Sequence, residues 1–171
     1  MTNVTLRFLL VLGLTVTVGF GAEPANIRID FVQPQRFTDF RIQNRSELES
    51  TRIFSTDIIR NLSPVVARRF PGATLSLRFT DIDLAGRYEP WRGPQFDNVR
   101  FINDYTGPLK LSFDYQLIGP KRELVASGSK TLVDNDFQRR FATYAATGSA
   151  TSSLFYEKAE LRTWFEALAR K

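Results

Sequence analysis

Two aspartates stand two residues apart in Asp81-Ile82-Asp83, a spacing that puts both carboxylates on one face of a regular strand. Held side by side, such carboxylates repel and one pKa rises. The pair then suits acid–base work or the holding of a hard cation. Continuing the phase of Leu75 and Phe79 would aim that face at the core. A one-residue slip near Thr80 would instead turn both carboxylates to the sheet rim, where backbone amides and arginines satisfy them. Asp134-Asn135-Asp136 is a second acidic cluster, but this pattern after a strand makes a turn, and no calcium-loop spacing accompanies it.

A different chemistry gathers in residues 86–94, where Arg87, Tyr88, Trp91 and Arg92 sit in a loop punctuated by Gly86, Pro90, Gly93 and Pro94. Tyr, Trp and Arg are the residue types enriched at recognition surfaces. Arg36-Phe37, Phe40-Arg41 and Arg139-Arg140-Phe141 repeat the pairing in two other connections. Aromatics beside arginines stack on sugars or bases and hold anions. A lone Trp in such a loop has two readings: an anchor for a partner, or a staple tucked into the domain.

Composition narrows the rest. The 171-residue chain has no cysteine and no histidine. Disulfides, thiolate metal sites, histidine-ligated zinc and the Ser–His and Cys–His dyads are therefore excluded. Charged residues at 24% and hydrophobic residues at 43% are those of a globular protein. The net charge is +5, and 18 of the 23 basic residues are arginine, whose planar fork favours phosphate, carboxylate and aromatic contacts.

The elements that position these residues follow from periodicity. Ile27, Ile29 and Phe31 alternate as on a strand. Ser46 and Glu49 make a capping box that opens a helix with Phe54, Ile58 and Leu62 on one face, and Ser63-Pro64 kinks or restarts it. Leu75, Leu77 and Phe79 mark a second strand, and the phase shift to Ile82 and Leu84 marks a bulge near Thr80-Asp81. Residues 99–102 are a short strand after the loop. Leu109 to Leu117 is the most regular period-two run, and Gly119-Pro120 turns it back into 122–133 as a hairpin. A last helix, capped by Ser152 or Ser153, turns Leu154, Leu161, Phe165 and Leu168 inward. The expected class is α+β, an antiparallel sheet of about four to five strands with helices on one face.

At the N-terminus, Arg7 precedes an apolar run from Phe8 to Phe20, too short for the about 20 residues a bilayer span requires. It fits the apolar core of a secretory signal, with small residues at Gly19, Gly21 and Ala22 as the cleavage context. The expected organisation is a signal peptide over 1–22 and one domain over 23–171, with no transmembrane segment in the mature chain.

The run Asp81-Ile82-Asp83-Leu84-Ala85-Gly86, followed by Glu89-Pro90-Trp91-Arg92, resembles the signature of an uncharacterised family of exported bacterial proteins, known only as a domain of unknown function. The strand from Leu109 to Tyr115, Ala126-Ser127-Gly128, Tyr156-Glu157-Lys158 and Trp164-Phe165 are similar to it as well, so the likeness spans about residues 28–168. Segment 137–151 departs in being more polar and richer in small residues. The resemblance implies a small exported single-domain protein and transfers no catalytic residue.

The leading expectation is an exported, periplasmic or secreted, non-enzymatic binding or accessory protein. It would use Arg87, Tyr88, Trp91, Arg92, Arg139 and Arg140 towards an envelope protein, a glycan or an anionic ligand. The alternative is a carboxylate-dependent hydrolase or metal-binding protein using Asp81 and Asp83. No cofactor is implied. Nucleic acid is a poor match for an exported chain, despite a pI near 9.8.

Overall fold

The computed structural model describes residues 26–102, 107–137 and 154–170. The signal segment 1–22, Arg139, Arg140 and the cap positions Ser152 and Ser153 lie outside the described residues.

Strand β1 (Asn26–Phe31) lies parallel beside β2 (Thr74–Asp83), with Ile27 opposite Leu75 and Phe31 opposite Phe79. A parallel pair needs a crossover, and helix α1 (Glu47–Arg69) supplies it. The α+β class holds, but the sheet is mixed where a purely antiparallel one was expected. The cause is that 23-residue helix between the first two strands, which carries the chain back to the end where β1 began. Ser46 accepts from the Glu49 amide while the Glu49 carboxylate accepts from Ser46, so the capping box is closed. Ser50, Phe54, Ile58, Leu62, Val65 and Val66 form the buried stripe. The helix runs through Ser63-Pro64 without restarting. Pro64 sits on the exposed side, where the carbonyl one turn back can take water instead, and Ser63 Oγ donates to the Ile59 carbonyl.

Beyond β2 a two-residue ladder of β3 (Arg87–Tyr88) with β4 (Arg100–Phe101) ties together the two ends of the loop, and the hairpin β5 (Leu109–Ile118) and β6 (Leu124–Asp134) follows. The main sheet has the order β1-β2-β5-β6, antiparallel at its last two pairings. The bulge falls between Phe79 and Asp81, as the phase shift in the sequence predicts.

Helices α1 and α2 (Phe155–Leu168) cover one face. Beneath them, Phe31, Phe40, Phe54, Phe79 and Phe113 form a chain of ring contacts with centroids 5.1–5.9 Å apart. Trp164 extends it, edge-on to Phe113 at 4.8 Å and Tyr115 at 5.1 Å. The N-cap position of α2 is Leu154, in left-handed conformation and with no side-chain cap. Among the described residues no helix is long and apolar enough to cross a membrane.

Candidate functional site

The bulge decides where the paired carboxylates go. Beyond it Ile82 pairs with Leu111 and points inward, so Asp81, opposite Ser112, and Asp83, opposite Lys110, take the face away from the helices. Thr38 donates to Asp81 from its amide at 2.8 Å and from its hydroxyl at 3.0 Å, and Lys110 Nζ lies 2.7 Å away. Partial burial opposes ionisation of Asp81, but the Lys110 and Thr38 hydrogen bonds outweigh it and hold the carboxyl below its ordinary value. Asp83 moves the other way: burial first, then the nearby negative charge of Asp39, push it up against the pull of Arg100 and Lys110. The two environments thus separate the pair. Among the described residues no three acids stand close enough to hold a metal ion.

The same end of β2 carries an arginine that sequence reasoning passed over. Arg100 grips Asp39 with both terminal nitrogens, Nη1–Oδ1 at 3.1 Å and Nη2–Oδ2 at 2.7 Å. It also donates to the carbonyls of Ala85 at 2.9 Å, Leu84 at 3.0 Å and Gly86, and its side chain is only 16% exposed. Gly86 has φ +72°, and a Cβ there would stand 2.6 Å from the Phe101 carbonyl oxygen, so no other residue fits this turn. Only the fold brings position 39 to position 100. The one sequence signal was an arginine within an otherwise apolar four-residue strand.

From this brace the 86–102 loop rises. Two guanidiniums lie over the Tyr88 ring, Arg41 at 5.3 Å and Arg100 at 5.0 Å, and its hydroxyl accepts from the Gln43 amide. Asn98 Oδ1 accepts from the Asn44 amide at 2.9 Å. Buried Glu89 pairs with Arg92, whose guanidinium lies 4.4 Å over the Phe101 ring. Trp91 is left outside: it is 72% exposed, in a 3-10 turn over Pro90–Arg92. Phe96, Val99 and Ile102 are exposed further along the loop, with Arg87 exposed at its start. Tyr88, Arg92 and their neighbours therefore hold the loop, and Trp91 is the group it presents.

Of the expected binding residues, Arg87, Tyr88, Trp91 and Arg92 come together, while Arg139 and Arg140 fall outside the described residues. The 33–45 connection divides its labour. Phe40 is buried against Phe31 and Phe54, whereas Arg41 and Arg45 border a cleft of about 220 Å³ with Phe37 and Pro34. A further tie was not legible: Glu157, in the first turn of α2 and almost fully buried, accepts from the Ala85 amide at 2.8 Å. Burial raises its pKa against that hydrogen bond and the pull of Arg100 and Lys158. Helix, turn and loop are thereby joined at Leu84-Ala85-Gly86.

No curated protein and no solved structure matches the chain. A family model does match, over residues 25–167, and it takes in every strand described above, α1, the loop and all of α2 but its last residue. The chain belongs to the family described as protein of unknown function (DUF3016).

Proposed function

We propose that the chain is an exported, non-enzymatic binding module whose recognition surface is the 86–102 loop. Its partner is an envelope protein that offers an apolar pocket with carboxylates at the rim. One observation carries this reading: a tryptophan 72% exposed on a loop that is otherwise braced at every turn. An exposed, large apolar side chain on a rigid support is the arrangement of an interface anchor, because it loses little entropy on binding. Phe96, Val99 and Ile102 widen the apolar area, and Arg87 with Arg41 supports the acidic rim. Export rests on the N-terminal pattern of Arg7 and the apolar run after it. The carboxylate reading is weaker, since Asp81 is engaged by Thr38 and Lys110.

The test uses residues 23–171, immobilised and incubated with envelope extract, as wild type and as Trp91→Ala. Wild type should retain a protein that Trp91→Ala retains at least about 30-fold more weakly, equivalent to about 2 kcal/mol. Melting temperatures should coincide, because exposed substitutions stay within about 0.5 kcal/mol. A large melting shift with unchanged retention would make Trp91 a staple and end the proposal.

A further inference from the structure

Among the described residues strand β6 is the longest in the sheet, at 11 residues, and it is an edge. Most of it is exposed on both faces, with Leu124, Val125 and Val133 among the exposed large apolar side chains. An edge of this kind offers a row of unpaired N–H and C=O groups, and proteins that stay monomeric guard it with charge, proline or brevity. The opposite edge has such guards: β1 has 6 residues and turns Arg28 and Asp30 to solvent. Between Leu124 and Val133, β6 has one charge, Lys130, and no proline.

We propose that β6 is a docking edge for a second copy of the same chain, paired antiparallel about a two-fold axis at Ser129. That register pairs the strand with itself over its regular part, beyond the bulge at Val125. It sets Ala126 opposite Leu132, Ser127 opposite Thr131, and Gly128 opposite Lys130 of the second copy. An axis at Lys130 would oppose two ammonium groups; the axis at Ser129 sets each against a glycine instead. The ring of Tyr115 lies 3.4 Å from where a Gly128 Cβ would be, so the incoming Lys130 finds an aromatic face beside the space that glycine leaves. A self-complementary strand of this kind makes an isologous, closed dimer and a continuous eight-stranded sheet. The proposal is independent of the loop, which lies at the end of β2.

Because the chain has no cysteine, single thiols report the register directly. In the proposed dimer Ser129→Cys stands opposite itself, within the about 4.4–6.8 Å between Cα atoms that a disulfide needs. Val133→Cys, on the same strand, stands about 27 Å from its copy at about 3.4 Å per residue. Mild oxidation should therefore link Ser129→Cys into dimers and leave Val133→Cys unlinked. Sedimentation of the unmodified chain should give the mass of two copies, and Gly128→Lys, which opposes two lysines, should weaken the dimer at least tenfold. A monomer at every concentration overturns the proposal. So does equal cross-linking of both thiols, or a Gly128→Lys dimer as tight as wild type.

Discussion

At the scale of single residues, the site is organised by donors rather than by the carboxylates that first draw attention. An arginine has five N–H donors in a fixed planar fork, and Arg100 aims its fork at one carboxylate and at the four carbonyls of Arg41, Leu84, Ala85 and Gly86. Removing it leaves Asp39, half-buried at 31% exposed, without its partner. Arg100→Ala should therefore lose stability at the lower end of the about 3–5 kcal/mol seen when one member of a buried pair is deleted. Lysine has no fork, so Arg100→Lys should recover less than half of that loss, while Arg60→Ala, at a surface pair 78% exposed on the arginine side, should stay within about 0.5 kcal/mol. Urea unfolding of the three variants checks this, and full recovery by lysine would mean that charge alone matters. Trp91 poses the reverse problem, since its side chain touches little of the fold. With Trp164 buried, acrylamide quenching of the fluorescence should come almost entirely from Trp91 and nearly vanish in Trp91→Phe.

At the scale of elements, β5 divides sharply between its two faces. Phe113 is 1% exposed, touching Phe79 and Trp164, so Phe113→Ala should cost about 3–5 kcal/mol. Gln116→Ala, on the exposed face, should cost less than about 0.5 kcal/mol. Lys110 shares that face yet pairs with Asp81, so its removal should fall between, at about 1 kcal/mol. Such one-sidedness is what made the element legible, because alternation records which face is buried. The capping box and the bulge were legible for similar reasons: each is fixed by residues adjacent in sequence, Ser46 with Glu49 and Phe79 with Ile82. The parallel pairing of β1 with β2 was not, since neither strand's pattern records which way its neighbour runs. Nor was the grip of Arg100 on Asp39, which spans 61 positions and exists only once the sheet and both connections are in place. The loop fell between these cases. Its punctuation gave its limits, but whether Trp91 turned in or out depended on Tyr88, Glu89 and Arg92 filling the space beneath it first.

At the scale of the whole molecule, Asp81, Asp83 and Glu157 lie at or near the end of β2, where sheet, loop and α2 meet, and they tie stability to pH with opposite signs. Glu157 and Asp83 have folded values raised above their ordinary 4.5 and 3.8. Each binds more protons folded than unfolded just above those values. Their contribution is fully present below the ordinary values and is lost as the pH rises through the raised ones. Asp81 runs in reverse: its contribution is present above 3.8 and is lost as the pH falls through its lowered value. Protonation of the many surface carboxylates also adds to a net charge that is already +5, so repulsion steepens the acid side. Stability should therefore peak on the acid side of neutrality, decline as the pH rises through the raised values of Asp83 and Glu157, and fall again below 3.8. Glu157→Gln isolates the largest buried share, because the amide oxygen can still accept from Ala85 while no charge is buried. The variant should be at least as stable as wild type at about pH 7 and should lose most of the decline above 4.5, leaving the part due to Asp83. Glu157→Ala should be less stable than Glu157→Gln at every pH, since it strands the Ala85 amide and opens a cavity. Urea midpoints across the pH range separate these outcomes, and identical slopes for wild type and Glu157→Gln would place the pH dependence elsewhere in the molecule.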